Sequence, residues 1–274
     1  MLAAIIVDAS EVEGLAVEHV GVSGLREVNG RPLVSYVMAA MQQGAALSRL
    51  VLMAPPAYRN HWIAREGVEV VPCGPDLASG LFAALERLGE SERILVFPAN
   101  APLVTSAMFD NFLKYAPPGA DLAYAVIREE RVRERFPQVR RWPAQRFREG
   151  VMVPSRLALF RPQLAQRHRE LLAGLISGAL NPLYLLHQWG AGFLLRFKLG
   201  RVSLQEVVLR VGELLGGPCT AVISPYPELA FTVKSEADLQ FVARELGSGL
   251  PTSGFRVCER GEGSKEGKKW PETR

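Results

Sequence analysis

One stretch of the sequence limits the possible folds more than any other: four consecutive apolar residues, Ile94 to Phe97, followed at once by a proline. An unbroken apolar run is typical of a strand buried on both faces, and such strands belong to parallel sheets covered by helices. Pro98 ends the strand, and Thr105 stands where the N-cap of a following helix is expected. Because ligands of open α/β sheets bind at carboxyl strand ends, Asn100 in the intervening loop becomes the first candidate binding residue.

The same alternation of buried strand and helical pattern extends over roughly the first half of the chain. Alternation of this kind is typical of parallel sheets built from right-handed crossovers. The predicted fold class is therefore α/β, with a mostly parallel twisted sheet flanked by helices. The strands expected in that one sheet lie near residues 2–7, 50–54, 68–71, 93–97 and 121–127.

The second half of the chain has a different composition. Residues 161–216 are predicted to form a mostly helical elaboration of the sheet domain, which as a whole is expected to span residues 1–247. Residues 248–274 are rich in Gly, Lys and Glu without apolar periodicity, and we expect this tail to be disordered. Three further short strands are expected: an edge strand at Leu157 to Phe160, and two later strands at Ala221 to Ser224 and Leu229 to Val233.

Bulk composition excludes several classes of protein. The chain is 48% hydrophobic and 22% charged, which is ordinary for a soluble globular protein. No apolar run approaches the roughly 20 residues that a membrane span needs, and the amino terminus lacks a basic leader. Three widely spaced cysteines fit a reduced compartment and give neither a disulfide framework nor a zinc pattern. We therefore expect a cytoplasmic protein that is not associated with a membrane.

Basic residues are concentrated in one segment of this chain, whose net charge is +4. Arg128 to Arg148 holds eight Arg and three Glu. One interpretation is a site for phosphates or an acidic acceptor, with Arg140 and Arg141 as candidate residues. The other is a solvated, salt-bridged helix end and loop. Beyond this charge, no nucleic-acid-binding motif is recognisable.

Four short motifs resemble the molybdenum-cofactor-guanylyltransferase-like NTP transferases, a family of nucleotidyltransferases with a glycosyltransferase-A-type fold. Residues 29–33, Asn-Gly-Arg-Pro-Leu, resemble the family's turn into its first long helix. Residues 79–81, Ser-Gly-Leu, resemble a helix start that faces the nucleotide base. Residues 98–103 resemble the metal-binding loop, and residues 224–239 resemble a late segment that carries a second acidic metal ligand.

This resemblance implies transfer of a nucleotidyl group from an NTP to a phosphorylated or cofactor-like acceptor, with Mg²⁺ as cofactor. It implies a nucleotide or nucleotide-sugar as the small-molecule partner. Asn100 occupies the position of the family's metal-binding Asp and is also the candidate metal ligand. The candidate nucleotide-binding residues are Asp8, Ser10, Arg26, Ser79, Gly80 and Asn100.

The chain departs from the family at the positions that carry its chemistry. Mg²⁺ prefers carboxylate oxygen, and Asn100 offers only a neutral amide. After its first strand the family has two adjacent glycines, whereas in this chain the first strand is followed by acidic residues that begin with Asp8. The position of the family's usual Lys falls near Ser23. The usual late acids fall near Thr232 and Lys234. Two functions stay open: a nucleotidyltransferase with an altered site that uses Mg²⁺, or a non-catalytic descendant that binds a nucleotide or nucleotide-sugar, or only a protein partner.

Overall fold

The computed structural model describes residues 1–10, 23–44, 47–65, 68–73, 77–168 and 189–247. The strands are β1 Leu2–Val7, β2 Glu27–Val28, β3 Arg31–Pro32, β4 Leu47–Ala54, β5 Glu69–Pro72, β6 Arg93–Pro98, β7 Leu122–Arg128, β8 Gln145–Phe147, β9 Gly150–Phe160 and β10 Cys219–Ile223. The helices are α1 Leu33–Gln43, α2 Leu77–Leu88, α3 Ser106–Tyr115, α4 Glu129–Arg135, α5 Pro162–Arg167, α6 Ala191–Lys198, α7 Leu204–Leu215 and α8 Glu236–Gly247.

All five strands predicted for the main sheet lie in one sheet of the order β10-β7-β9-β6-β1-β4-β5, with β8 paired to β9. β1 is parallel to both β4 and β6, β4 is parallel to β5, and β10 is parallel to β7. The predicted α/β class with a mostly parallel sheet is confirmed. β6 is central, and its Ile94, Leu95 and Phe97 are fully buried.

The prediction of an edge strand at Leu157 to Phe160 is wrong. These residues are the last part of β9, which inserts antiparallel between β6 and β7. Buried and half-buried residues alternate along most of β9, because successive side chains point to opposite faces of the sheet and the two faces are covered to different extents here. The local sequence does not identify the strands that neighbour β9.

The prediction of a strand at Leu229 to Val233 is also wrong, whereas the strand predicted at Ala221 to Ser224 corresponds to β10. Leu229 belongs to a 3₁₀ turn, Pro227–Ala230. A proline at the start of a turn fixes φ and removes a backbone donor, which favours a turn over a strand. The side chains that suggested a strand, Phe231 and Val233, are buried in the main hydrophobic core instead.

Helices cover both faces of the sheet. α1 and α3 pack on one face, where Met38, Phe109 and Phe112 are among the fully buried side chains. α2 packs on the other face through Leu81 and Leu85. Thr105 is the N-cap of α3 as expected. Asn29 and Gly30 have φ of 49° and 73° in the tight turn between β2 and β3, a conformation that Asn-Gly favours.

The described part of residues 161–216 contains α5, α6 and α7. A capping box between Ser203 and Glu206 begins α7, and Gly216 ends it in a left-handed conformation. Residues 169–188 of the predicted elaboration, and the predicted disordered tail at 248–274, lie outside the described residues. In the part of the chain that is described, no helix is both long and apolar enough to cross a membrane.

Candidate functional site

Three parallel strands end together and form an apolar pocket at the carboxyl edge of the sheet. Val7 of β1, Met53 of β4 and Pro98 of β6 contribute to its wall, and Leu81 of α2 contributes from one side. The pocket has a volume of about 190 Å³, and its remaining lining residues are Val96, Phe97 and Arg156. It lies where an open α/β sheet is expected to bind a ligand, and Arg156 is a charged residue among its described lining residues.

Asp8, the first sequence candidate, follows β1 directly and is buried, with 3% of its surface exposed. Its Oδ2 accepts hydrogen bonds from the Gly24 backbone N–H at 2.7 Å, from Tyr58 Oη at 2.5 Å and from Ser23 Oγ at 3.2 Å. Its Oδ1 accepts from the Ser10 backbone N–H at 3.0 Å. Four donors thus converge on one buried carboxyl group, which ties the end of β1 to the chain that returns at Ser23.

Gly24 is packed too tightly for any other residue. A Cβ atom there would lie 2.5 Å from Tyr58 Oη, 2.8 Å from the Ala99 Cβ and 3.2 Å from Asp8 Oδ2. Since real Cβ atoms do not approach other heavy atoms so closely, a side chain would push the returning chain away from the strand ends. The glycine therefore allows the Asp8 carboxyl group to be reached by a backbone donor.

Asn100 joins the loop after β6 to the segment that follows the 3₁₀ turn. The side-chain Nδ2 of Asn100 donates to the Val233 carbonyl oxygen at 3.0 Å, and the backbone carbonyl oxygen of Asn100 accepts from the Val233 N–H at 2.8 Å. Because the partner of the side chain is a carbonyl oxygen, the nitrogen must face it; an oxygen there would repel it. The amide at this position is thus part of a structural tether, a role that a carboxylate could not take.

Among the residues that the structure describes, the donors at this edge do not fit a Mg²⁺ ion. Asn100 is neutral, the Asp8 carboxyl group already accepts four hydrogen bonds, and Val233 lies between the positions of the expected late acids, Thr232 and Lys234. Within the described ranges no group of three or more His, Cys, Asp or Glu could hold a metal ion. Mg²⁺ is usually held by one or two carboxylates together with substrate phosphates, and the described Asp8 and Asn100 side chains do not supply such a set.

Ser79 and Gly80 lie at the start of α2, beside the apolar pocket. Gly80 is buried, and a Cβ there would meet Met53 Sδ at 3.0 Å and the Cys73 Cα at 3.3 Å. The glycine thus lets α2 approach the ends of β4 and β5 closely. Ser79 is exposed. The structure therefore brings this motif to the rim of the pocket, and its neighbour Leu81 forms part of the wall.

Ser10 and Arg26 are placed differently from each other. Ser10 contacts Asp8 through its backbone N–H, and its Oγ is buried with no hydrogen-bond partner in the described part of the chain. Arg26 is exposed, and its Nη2 donates to Glu236 Oε2 at 2.7 Å. This ion pair links the chain before β2 to the first turn of α8. Exposed pairs of this kind contribute about 0–1 kcal/mol, so the pair could open at little cost.

A second cavity, of about 110 Å³, lies next to the apolar pocket, and we call it the basic cleft. Arg141, Arg156 and Lys234 supply its positive charge, and Asp238 is an acidic residue in its lining. The other residues that line it are Val139, Trp142, Pro143, Pro154, Ala230, Phe231 and Thr232. Of the two arginines proposed from sequence, Arg141 lines the basic cleft and the adjacent, exposed Arg140 does not.

Arg156 lines both cavities and was not identified from the sequence. Between the pairs Tyr124–Ala158 and Val126–Pro154, three residues of β9 face one residue of β7. Such a bulge redirects side chains, and here Arg156 is its middle residue. The one available signal was a charged residue inside a run of strand-forming apolar residues.

Tyr124 lies beneath the bulge and supports it. Its hydroxyl donates to the Ser155 carbonyl oxygen at 2.5 Å, and Ser155 Oγ accepts from the Leu157 N–H at 2.9 Å. Burial raises the pKa of Tyr124, and the nearby positive charge of Arg156 opposes that rise. The phenol therefore stays protonated and keeps its donor for the bulge. These bonds hold the backbone on both sides of Arg156.

Comparison with known proteins identifies a matching family and similar solved structures. A family model, MobA-like NTP transferase domain, matches residues 24–185. A hypothetical transferase from Thermus thermophilus is 31% identical over 87% of this chain and 100% of its own, with a TM-score of 0.73. A comparison with curated proteins finds no match.

Two more distant structures share the fold. A 4-diphosphocytidyl-2C-methyl-D-erythritol synthase from Anaerococcus prevotii is 12% identical over 90% of this chain and 98% of its own, with a TM-score of 0.55. A CMP:2-keto-3-deoxy-manno-octonic acid synthetase in complex with CTP is 13% identical over 91% of this chain and 99% of its own, with a TM-score of 0.57. The matched motifs, the sheet order and the extent of the family match lead to one conclusion: the chain belongs to the MobA-like NTP transferase domain family of nucleotidyltransferases.

Proposed function

We propose that this protein binds a nucleotide or nucleotide-sugar at the carboxyl edge of its sheet and has little capacity for Mg²⁺-dependent nucleotidyl transfer. The observation that carries the proposal is the Asn100 side chain, whose Nδ2 is bound to the Val233 carbonyl oxygen. Family membership supports the binding half. The use of this amide in a tether supports the second half, because a metal-binding carboxylate would break the same contact.

The apolar pocket supports binding of a base or another flat apolar group. Its walls combine β-strand side chains with Leu81, beside the Ser79-Gly80 motif that resembles the family's base-facing helix start. At about 190 Å³ it is smaller than the roughly 300–1,000 Å³ of pockets that enclose a whole drug-sized ligand. It would therefore hold one part of a nucleotide and leave the phosphates outside. The structural neighbour that was solved in complex with CTP holds a ligand of this class.

The weakness proposed for catalysis follows from the charges at the edge. Nucleotidyl transfer builds negative charge on phosphate oxygens, and an enzyme stabilises that charge with metal ions and preorganised donors. Of the residues expected to do so, Asp8 accepts hydrogen bonds within the protein, Asn100 donates one, and Arg26 is paired with Glu236. A cytoplasmic location belongs to the same proposal.

Isothermal titration with ATP, GTP, CTP and UTP, each in Mg²⁺ and in EDTA, tests the proposal. We expect one nucleotide to bind with similar affinity in both buffers. Val96→Phe should fill the pocket and abolish binding, whereas Val70→Phe, the same change at a half-buried strand position that does not line the pocket, should leave it intact. Binding that survives Val96→Phe would remove the pocket from the proposal, and an absence of binding by every nucleotide would favour a protein-partner role.

Nucleotidyl transfer to a phosphorylated or cofactor-like acceptor is the second candidate, and the basic cleft beside the pocket favours it. Mg²⁺ would be its cofactor, although the described donor set does not fit the ion. Release of pyrophosphate from an NTP in Mg²⁺, measured with and without phosphorylated acceptors, separates the two candidates. Multiple turnovers in Mg²⁺ that stop in EDTA would support the enzyme and contradict our preferred function.

A further inference from the structure

The two edges of the main sheet are built differently. β5 and β10 are its outermost strands in the described part of the chain, where β10 pairs with β7 alone. β5 carries Glu69, which forms ion pairs with Arg49 and Arg87, and it ends in Pro72. Charge and proline are two means by which proteins prevent edge strands from pairing with other chains. β10, with the sequence Cys-Thr-Ala-Val-Ile, has neither.

The backbone of β10 presents a full row of hydrogen-bonding groups to its open side. Ser224, directly after β10, donates its N–H to the Val126 carbonyl oxygen of β7 at 2.8 Å, so the even-numbered residues of this strand face β7. Since the backbone groups of successive strand residues point to opposite sides, those of Cys219, Ala221 and Ile223 point away from β7. This edge therefore offers three N–H and three C=O groups.

The same reasoning shows that β5 offers much less. The Cys73 N–H donates to the Ala54 carbonyl oxygen of β4 at 2.8 Å, so Val70 and Pro72 are the β5 residues whose backbone groups face outward. Pro72 has no N–H, and only the Val70 N–H remains as an outward donor. One edge of the sheet is thus protected against pairing, and the other is not.

We propose that β10 is the contact surface for a second copy of this chain, and that two β10 strands pair antiparallel about a twofold axis at Ala221. In this register Ala221 exchanges both of its outward hydrogen bonds with Ala221 of the second copy, and Cys219 does so with Ile223 of the second copy. All outward groups of the three residues are then paired, as an isologous contact requires. This pairing is independent of the proposed function.

The distribution of charge favours a second copy over an acidic partner. The chain has a net charge of +4, so two copies repel each other least where the surface carries no excess of positive charge. β10 has no charged residue, and on the preceding helix α7 the Arg210 and Glu213 side chains form an ion pair at 3.0 Å. An acidic protein would gain more from the arginine-rich residues 128–148 than from this neutral edge.

Exposed apolar side chains are concentrated on the elements that end in β10. Of the seven large apolar side chains that are exposed among the described residues, four lie there: Leu195 and Leu199 of α6, Leu209 of α7 and Ile223 of β10. Pairing of two five-residue strands is too small for a stable interface, which buries about 800 Å² on each partner. Apolar contacts beside the paired strands would supply the additional area.

The proposed register gives the exposed Ile223 side chain an apolar neighbour. Ile223 is 44% exposed, and it would lie opposite Cys219 of the second copy. Cys219 lies close to α7, because a Cβ added at Gly212 would be 4.0 Å from the Cys219 Cβ. Each Ile223 would therefore pack at the carboxyl end of the other copy's α7. The apolar pocket would stay open, since β7 and β9 separate β10 from β6.

Sedimentation velocity of the full chain, at concentrations from about 1 to 100 μM, tests the self-association. We expect a species of twice the 30.1 kDa mass of one chain, whose fraction rises with concentration. A wild-type protein that stays monomeric over this range would overturn the proposal.

Two variants test whether β10 makes the contact. Ala221→Pro removes an outward N–H, leaves the bonds to β7 in place and should weaken self-association at least about tenfold. Ile223→Glu keeps every backbone donor and places a charge in the contact, so it should have a similar effect. Val70→Pro is the matched control, because it removes the outward N–H of the protected edge, and it should change the dissociation constant by less than about twofold. Unchanged self-association in either folded β10 variant would overturn the proposal.

Hydrogen exchange of the backbone amides identifies what covers the edge. The amides of Ala221 and Ile223 should exchange more slowly as dimer forms, whereas the Val70 amide should not change. Protection of the two β10 amides in a monomeric protein would assign the edge to another segment of the same chain. Fast exchange of both amides in a dimeric protein would place the contact elsewhere. Either result would overturn the pairing of β10 with a second copy.

Discussion

Two regions of one sheet edge use their polar residues in opposite ways. Around Asp8 and Asn100 the polar side chains are directed inward, and they bind backbone groups of neighbouring loops. In the basic cleft, Arg141, Arg156 and Lys234 line a cavity. The first region holds the strand ends together, whereas the charged side chains of the second region surround an open cavity. The comparison shows that the polar side chains of the first region bind other parts of the chain, whereas charged side chains of the second region line a cavity.

The difference has a physical cause. A buried carboxyl group is costly unless donors surround it, so Asp8 is stable only because Gly24, Tyr58, Ser23 and Ser10 supply them. A cation at the wall of an open cleft keeps part of its hydration, so the charged side chain can be placed there without a full set of hydrogen-bond partners from the protein. Substitutions in the two regions should therefore separate cleanly: the first set should change stability, and the second set should change binding.

Asp8→Ala should have the largest effect on stability. It leaves several donors unsatisfied at a buried site and should lower the free energy of unfolding by about 3–5 kcal/mol. Tyr58→Phe removes one of the same donors and should cost only about 1–2 kcal/mol. Urea denaturation of both variants measures the difference. A loss below that of Tyr58→Phe would show that the carboxyl group does not hold this region together.

Gly24→Ala should come next. Its Cβ would meet Tyr58 Oη and the Ala99 Cβ inside normal contact distance, and overpacking of this kind costs about 1–3 kcal/mol. Gly119→Ala is the control, because nothing lies within 4 Å of a Cβ at that position. Thermal denaturation of the two variants should show a clear loss for the first and almost none for the second. Equal melting temperatures would contradict the tight packing around Asp8.

The sequence predicted the frame of this edge better than its chemistry. Continuous apolar runs identified the five main strands, and the position of Asn100 after β6 followed from strand, proline and N-cap. The partners of Asp8 and Asn100 could not be foreseen, because Tyr58 and Val233 are distant in sequence. The candidate site residues themselves remain predictions.

Errors in the second half of the chain have a related origin. β9 joins the sheet antiparallel between β6 and β7, and strand order depends on contacts between distant segments rather than on local pattern. Arg156 could not be identified from the sequence either, because its place in the lining of both cavities depends on the bulge that β9 forms opposite β7. Among the adjacent arginines at 140 and 141, periodicity gave no means of choosing the one that lines the cleft.

Asn100→Asp should have a smaller effect that depends on metal. A carboxylate would place an oxygen against the Val233 carbonyl oxygen, and the lost tether should cost about 1–2 kcal/mol. It also supplies a hard anionic ligand, so Mn²⁺ should restore part of the stability by binding the folded state. Asn100→Ala loses the tether without gaining a charge and should not respond to Mn²⁺.

Thermal denaturation of the two variants, with and without Mn²⁺, measures this difference. Identical behaviour of Asn100→Asp and Asn100→Ala in Mn²⁺ would show that this loop cannot present a ligand to a metal. A wild-type protein that is itself strongly stabilised by Mn²⁺ would contradict the view that the donor set does not fit a divalent cation.

Removal of a cleft cation should have the smallest effect on stability, and its sign is informative. Three cations and the carboxylate of Asp238 line one small cavity, where repulsion between the like charges and attraction to the carboxylate largely offset each other. Arg141→Ala should therefore leave the free energy of unfolding within about 0.5 kcal/mol of the wild type, or raise it slightly. Added NaCl screens repulsion between the cations, so it should stabilise the wild type more than it stabilises Arg141→Ala. It should stabilise Arg140→Ala to the same extent as the wild type. A stability loss above about 1 kcal/mol would assign Arg141 to the frame of the fold and would erase the contrast between the two regions.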